Sequence, residues 1–326
     1  MSTQLKVYEN YELDQLKDEA WSKLDYEFFK NFESEHTRKS YRTDITQFFT
    51  FIGENFFNLT HLNQIERVHF VAFKNWLSDL DLAPKTINRK LSANSSYFDF
   101  LAEKNIIRFN PVNSIKRPKQ EVVNPTQDIS DENVMEMFDF INDPKNKISL
   151  LHKAILYVLF TTGIRKSELI NLKRENYFEL NGHKVIKVKA KGAKYLTKVL
   201  PGPTVEILNE YLNWMEDQGR AVHEKDWVFQ PSKNPRDPNN LTRPLNDTSI
   251  DYIIKSISKK CGIPIQISPH SARATYIGSA LEAGVDLFKV SQDVGHASVK
   301  TTQEYNKRRQ KLKESPAYKL GFLKKS

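Results

Sequence analysis

Residues 116–130 read KRPKQEVVNPTQDIS, with two prolines, several charges and no apolar periodicity. Such a segment has too little apolar surface to order itself, and its prolines stop a helix from running through it. It therefore divides the chain. We place a first domain at 1–118, with 1–30 as an acidic extension, a linker at 119–130 and a second domain at 131–326. A chain of 326 residues is long enough for two domains with cores of their own.

The first half reads as helices. Tyr41, Ile45, Phe48, Phe49 and Ile52 recur at helical spacing, as do Val71, Phe73, Trp76, Leu77 and Leu80. A third run holds Ile87, Leu91, Tyr97, Phe98 and Leu101, opened by Pro84 and decorated by Thr86, Asn88, Arg89, Lys90 and Asn94. Those polar residues are either the solvated face of the helix or part of a DNA clamp.

The second half is mixed. Ser130 or Asp131 caps a helix carrying Val134, Phe138 and Ile141. Residues 149–162 are almost all apolar and close on Gly163, the pattern of a buried helix. Ile186, Val188 and Ala190 then alternate with Lys187, Lys189 and Lys191, which is strand periodicity, and a return strand follows the turn at Gly192. Helices are expected at about 204–217 and 247–260, on either side of a Pro/Asn-rich loop at 231–245, and shorter ones after Pro269, Asp286 and Ser298. The expected class is mainly α, with a small β-hairpin in the C-terminal half.

The formal charge of +9 favours a polyanionic partner, and residues 1–35 are net acidic, so the excess lies further along. After Tyr305 come Lys307, Arg308, Arg309, Lys311 and Lys313 against one acid, Glu314. No apolar run is long enough for a membrane span, and the first thirty residues lack a signal-peptide core. The single cysteine, Cys261, has no partner for an internal disulfide, which fits a reducing compartment. A cytoplasmic, nucleoid-associated protein is expected.

Chemistry gathers in six residues: Arg165, Lys191, His270, Arg273, His296 and Tyr305. Two guanidiniums, an ammonium and two imidazoles suit one phosphodiester, and a tyrosine supplies a nucleophile. The set calls for no metal and no cofactor. Each member also has an ordinary structural reading. Arg165 lies three before Glu168 and can simply pair with it. His270 and Arg273 share a helix face after Pro269, but a lone His-x-x-Arg is common by chance. His296 after Gly295 fits a helix end as well as a catalytic role. Tyr305 is one of 13 tyrosines; its rivals are Tyr318, Tyr276 and Tyr252, the last two in apolar helical patterns that read as core.

Order and spacing are more specific than the members. TTGIRKSELINLK, then KAKGAKYLTKVLP, then SPHSARATY, then VGHASVKTTQEY closely resembles the tyrosine recombinase (phage-integrase) family. EHTRKSYRTDITQFFTFI and PKTINRKLSANSSYFDFLAEKNIIRFNPV are similar to the family's helical core-binding domain, so the resemblance spans about residues 30–310. Two features depart from it: Ala274 stands after Arg273 where His is usual, and Ser271-Ala272 replaces the common Asp-Leu.

The resemblance implies a two-domain DNA clamp that cuts and rejoins DNA through a 3′-phosphotyrosyl link. It implies Tyr305 as nucleophile, Arg165, Arg273 and His296 on the phosphate, and His270 as base or proton relay. Lys191 would be the acid for the leaving 5′-oxygen, with Lys189 and Lys194 as runners-up, and Glu168 would support Arg165. In the helical half it points to Thr37, Arg38, Arg42, Thr86, Asn88, Arg89, Lys90 and Asn94 as DNA contacts. It further implies double-stranded DNA with an inverted-repeat core site, a homo-tetramer on two duplexes, a tail at 311–326 passed between protomers, and an activating protein as a further partner. The length suits a Xer-type chromosome-dimer resolvase; an integrase of a phage or other mobile element is the alternative. A non-catalytic DNA-binding protein is the rival from another class.

Overall fold

The computed structural model describes residues 26–119, 127–190, 194–233, 237, 239–263 and 265–309. Its contacts divide the chain into two units, Met1–Val123 and Asn124–Ser326.

The first unit contains helices α1 (Glu35–Asn55), α2 (Arg67–Asp79) and α3 (Pro84–Glu103). Ser34 caps α1 by accepting from the Thr37 N–H at 3.3 Å. Pro84 occupies the first turn of α3, where its missing N–H costs nothing. The three apolar stripes meet in an aromatic core of Phe48, Phe70, Phe73, Tyr97 and Phe98, and Phe48 stacks on Phe70 at 4.1 Å. Leu80, expected in that core, is 49% exposed because it caps the end of α2.

Within this core lies an ionic cluster. Asp44 on α1 is fully buried and accepts from Arg89 and from Lys90 Nζ, the latter at 3.0 Å. The helices thus bury a carboxylate only because two cations come with it.

The second unit begins with α4 (Asp131–Asn142), capped by Ser130. Helix α5 (Leu150–Thr162) is buried without a break from Ala154 to Phe160, as its apolar run requires. It ends at Gly163, whose φ of +61° favours glycine, and a Cβ there would lie 2.5 Å from the Tyr276 ring. The short α6 (Lys166–Ile170) follows.

The sheet is antiparallel in the order β1 (Tyr177–Leu180), β2 (His183–Lys189), β3 (Tyr195–Val199). Strand β1 was not expected. Its signal is Asn181-Gly182, both at positive φ, in the two-residue turn that pairs Leu180 with His183. The β2–β3 pairing sets Val188 opposite Leu196 and Lys189 opposite Tyr195.

Helices α7 (Gly202–Asp217), α8 (Asp247–Lys260), α9 (Pro269–Glu282), α10 (Leu287–Asp293) and α11 (Val299–Arg309) complete the unit. Tyr252 corrects the reading of it as core. It is 70% exposed, because α8 buries the stripe of Ile250, Ile253, Ile254 and Ile257 on its other face. Among the described residues no helix is long and apolar enough to cross a membrane.

Candidate active site

Ser268 and Ser271 exchange hydrogen bonds across the first turn of α9, and Pro269 sits at its first position. That start sets His270 at the mouth of the helix and Arg273 one turn inside. Arg273 is 4% exposed, and its guanidinium donates to the Gly163 carbonyl at 2.6 Å and to the Val294 carbonyl. Arg165, at the N-terminus of α6, donates to Glu168 Oε1 at 2.7 Å and to the Gly295 carbonyl at 3.2 Å. The other oxygen of Glu168 accepts from the Arg165 backbone N–H at 2.7 Å. Both side chains therefore end on consecutive carbonyls of one turn.

Two guanidiniums beside one carboxylate leave an excess of positive charge. Burial first, and the charge of Arg165 second, bring Arg273 down to about 10, against the pull of Glu168, Tyr305 and Asp293. An anion held between the two arginines would relieve that repulsion.

His296 follows the turn. Its Nδ1 lies 2.7 Å from the hydroxyl of the fully buried Thr302 on α11. Burial, then Arg273 and Arg165, bring this imidazole down to about 4, so it is neutral at neutral pH. His270, at the exposed rim, is also held below the ordinary imidazole value, first by loss of solvent and then by Arg273, Lys166 and Arg165.

Tyr305 comes from α11. Its ring lies nearly parallel to that of His296, with centroids 6.1 Å apart, and packs on Ile277, Val290 and Val294. Arg165, His270, Arg273, His296 and Tyr305 thus come from four places in the chain to one locality. Lys191 lies outside the described residues, as do Tyr318 and the tail at 311–326. Lys189 and Lys194, on either side of the hairpin tip, are exposed. Tyr276 is half-buried and donates to Asp293 Oδ2 at 2.8 Å.

Three participants escaped the sequence reading. Lys198 is 2% exposed, on the inward face of β3, and donates to Asp293. Its signal was its place between Leu196 and Leu200 in an alternating strand. Asp293 carries no signal of its own, and Thr302 lies in the VGHASVKTTQEY run without a role assigned to it there.

In the helical unit, Arg42 and Arg89 are exposed and Thr37, Arg38, Thr86 and Asn88 partly so. Arg42 lies over the Phe29 ring at 4.8 Å, and Arg38 donates to the Phe32 carbonyl at 3.3 Å. Lys90 is 7% exposed and bound to Asp44, and Asn94 is fully buried with its amide on the Lys90 carbonyl at 2.9 Å.

The chain matches the Phage integrase family over residues 127–311 and the N-terminal SAM-like domain of phage integrases over 27–105. It is 29% identical to the tyrosine recombinase XerC of Syntrophus aciditrophicus (strain SB), over 83% of this chain and 87% of that protein. It is likewise 29% identical to a tyrosine recombinase of Agathobacter rectalis, over 90% and 92% of the two chains. In fold it is similar to XerH site-specific recombinase in a post-cleavage complex with palindromic difH substrate, with a TM-score of 0.70, 19% identity and coverage of 86% and 79%. It is also similar to a lambda integrase dimer bound to a COC′ core site, with a TM-score of 0.64, 13% identity and coverage of 93% and 79%.

Proposed function

The chain belongs to the phage integrase family and is a Xer-like tyrosine recombinase, a site-specific enzyme that cuts and rejoins DNA, and we propose that Tyr305 is its nucleophile. The observation that carries this reading is the convergence of Arg165 and Arg273 on the carbonyls of Gly295 and Val294, one residue from His296 and beside Tyr305.

Attack by the Tyr305 oxygen on a backbone phosphate builds charge on the non-bridging oxygens. Arg165 and Arg273 supply fixed, always-charged forks for those oxygens. His296 is neutral, so it serves as a hydrogen-bond donor rather than a third cation. The contact between Nδ1 and the Thr302 hydroxyl orients the ring, and in the tautomer whose Nδ1 accepts there, Nε2 carries the hydrogen for the phosphate. His270, also neutral, takes the phenolic proton, which has a reference pKa of about 10.

The bond from Tyr305 to the 3′-phosphate forms as the bond to the 5′-oxygen breaks. Lys191, which lies between β2 and β3 in the sequence, protonates that oxygen, with Lys189 and Lys194 as alternatives. The phosphotyrosyl link keeps the phosphodiester's energy, so a 5′-hydroxyl from another strand can reverse the attack without a nucleotide.

The helical unit, residues 1–118, holds the core site, and residues 131–326 form the catalytic domain. Arg38, Arg42 and Arg89, with Thr37, Thr86 and Asn88, are the contacts we assign to it. Two protomers occupy an inverted repeat, and two such duplexes join in a tetramer through the tail at 311–326. This reading draws on XerH with a palindromic substrate and on a lambda integrase tetramer bound to a Holliday junction. Chromosome-dimer resolution is the role we assign, with integration of a phage or other mobile element as the alternative; the likeness to recombinases named XerC supports a Xer-like enzyme.

Covalent trapping on nicked duplexes tests this. The duplexes come from the protein's own genomic neighbourhood and from candidate chromosome-dimer sites. A denaturation-resistant adduct at Tyr305 supports the assignment, and the duplex that traps distinguishes resolvase from integrase. Tight, specific binding with no adduct on any duplex would favour a binding protein, or an enzyme awaiting an activating partner.

A further inference from the structure

Strand β3 carries a lysine where its alternation calls for an apolar side chain. Lys198 is 2% exposed, between Leu196 and Leu200 on the inward face. Its ammonium donates to the Asp293 carbonyl at 3.1 Å and to the Asp293 carboxylate, and lies over the Tyr276 ring at 4.9 Å. Tyr276 donates its hydroxyl to the same carboxylate at 2.8 Å. Strand β3, α9 and α10 are thereby joined through one carboxylate.

Stability alone is a poor reason for this cluster. Burying an ion pair costs roughly what it returns, and an apolar set of similar volume often serves as well or better. An apolar patch of Ile277, Val290 and Val294 already lies next to Tyr276. What the polar set adds is direction: an ammonium shared between a carbonyl and a carboxylate holds its turn in one orientation.

That turn supplies the arginine partners. Val294, which follows Asp293, accepts from Arg273, and Gly295 accepts from Arg165. The other partner of Arg273 is the Gly163 carbonyl, and Gly163 sits against the Tyr276 ring so closely that a Cβ would lie 2.5 Å from it. Strand β3 touches the turn again at Leu196, 2.6 Å from where a Gly295 Cβ would stand. The strand that leaves the lysine hairpin is therefore tied to the turn that both arginines grip.

We propose that Lys198, Asp293 and Tyr276 are positioning residues for DNA cleavage: together they hold residues 293–295, and through them the two guanidiniums, in register with the β2–β3 hairpin. The proposal rests on the phosphate role assigned above to Arg165 and Arg273.

The test replaces the cluster with apolar side chains of similar volume, as Lys198→Met, Asp293→Leu and Tyr276→Phe in one full-length chain. Thermal stability, affinity for DNA and single-turnover adduct formation are measured on the nicked duplex that traps the parent protein best. We expect a melting temperature near the parent's, affinity unchanged within about 2-fold, and adduct formation slowed about 10–100-fold at saturating DNA, the scale of a small misplacement of catalytic groups. A stable variant that forms adduct at the parent rate would overturn the proposal, because the cluster would then be structural only. Should the triple variant not fold, Tyr276→Phe alone decides, since it removes one hydroxyl and keeps the ring; parental rates there also overturn it. Failure of the parent to trap any duplex counts instead against the underlying reading.

Discussion

Arg165 and Arg273, 108 positions apart in sequence, donate to the carbonyls of Gly295 and Val294, two adjacent residues of one turn. The turn sets the spacing between the guanidiniums before any phosphate arrives. Preorganisation of this kind matters most where charge develops, because no reorganisation is then needed during the reaction.

Arg165→Ala and Arg273→Ala should each slow adduct formation about 10²–10³-fold while leaving DNA binding within a few-fold, as expected for loss of one charge-stabilising donor. Single-turnover cleavage of a nicked duplex checks this. Parental rates in either variant contradict the phosphate clamp.

Tyr305→Phe should bind the same duplex as the parent and form no covalent product. The ring stays, so its packing on Ile277, Val290 and Val294 is kept and only the oxygen is lost. Any adduct in this variant moves the nucleophile elsewhere.

The Glu168 carboxylate pairs with Arg165, and its side chain is 3% exposed. Glu168→Gln leaves two close guanidiniums less well balanced. We expect a loss of about 3 kcal/mol, the scale for breaking a buried pair from one side, partly recovered in added sulfate. Denaturant melts with and without sulfate measure both effects; a variant as stable as the parent would show that Glu168 balances no charge.

In the helical unit, Asp44→Asn should cost about 3 kcal/mol, since it strips a buried carboxylate from Arg89 and Lys90. Arg42→Ala, at an exposed position, should leave stability alone. It should lower the slope of log affinity against log salt by about 1, as for one lost phosphate contact. An unchanged slope excludes Arg42 from the DNA face.

The histidines predict a pH dependence. His296 is held at about 4 in the fold, below its unfolded value of about 6.5. Between these limits the unfolded state binds more protons than the folded one, so stability falls as pH drops through that window and is constant above it. His296→Gln should flatten this part of the melting-temperature profile. A profile as steep as the parent's would place the acid sensitivity in other groups.

Much of this was legible in the chain itself. Helical and alternating periodicities are local, so α1, α3, α5 and the β2–β3 hairpin follow from spacing alone, and the order of Arg165, His270, Arg273, His296 and Tyr305 carries the reaction class. Strand β1 was missed because its four residues, Tyr177–Leu180, before the Asn181-Gly182 turn, are too few for a periodicity to declare itself. Tertiary structure decided which charges work and which are occupied. Lys90 and Arg42 look alike in sequence, yet one is buried on Asp44 and the other is exposed. Lys198 looks like its neighbours Lys189 and Lys194, yet it alone of the three turns inward, to Asp293, 95 positions away. Burial and pairing depend on what packs against a side chain from distant parts of the chain, and a local pattern carries no record of that partner.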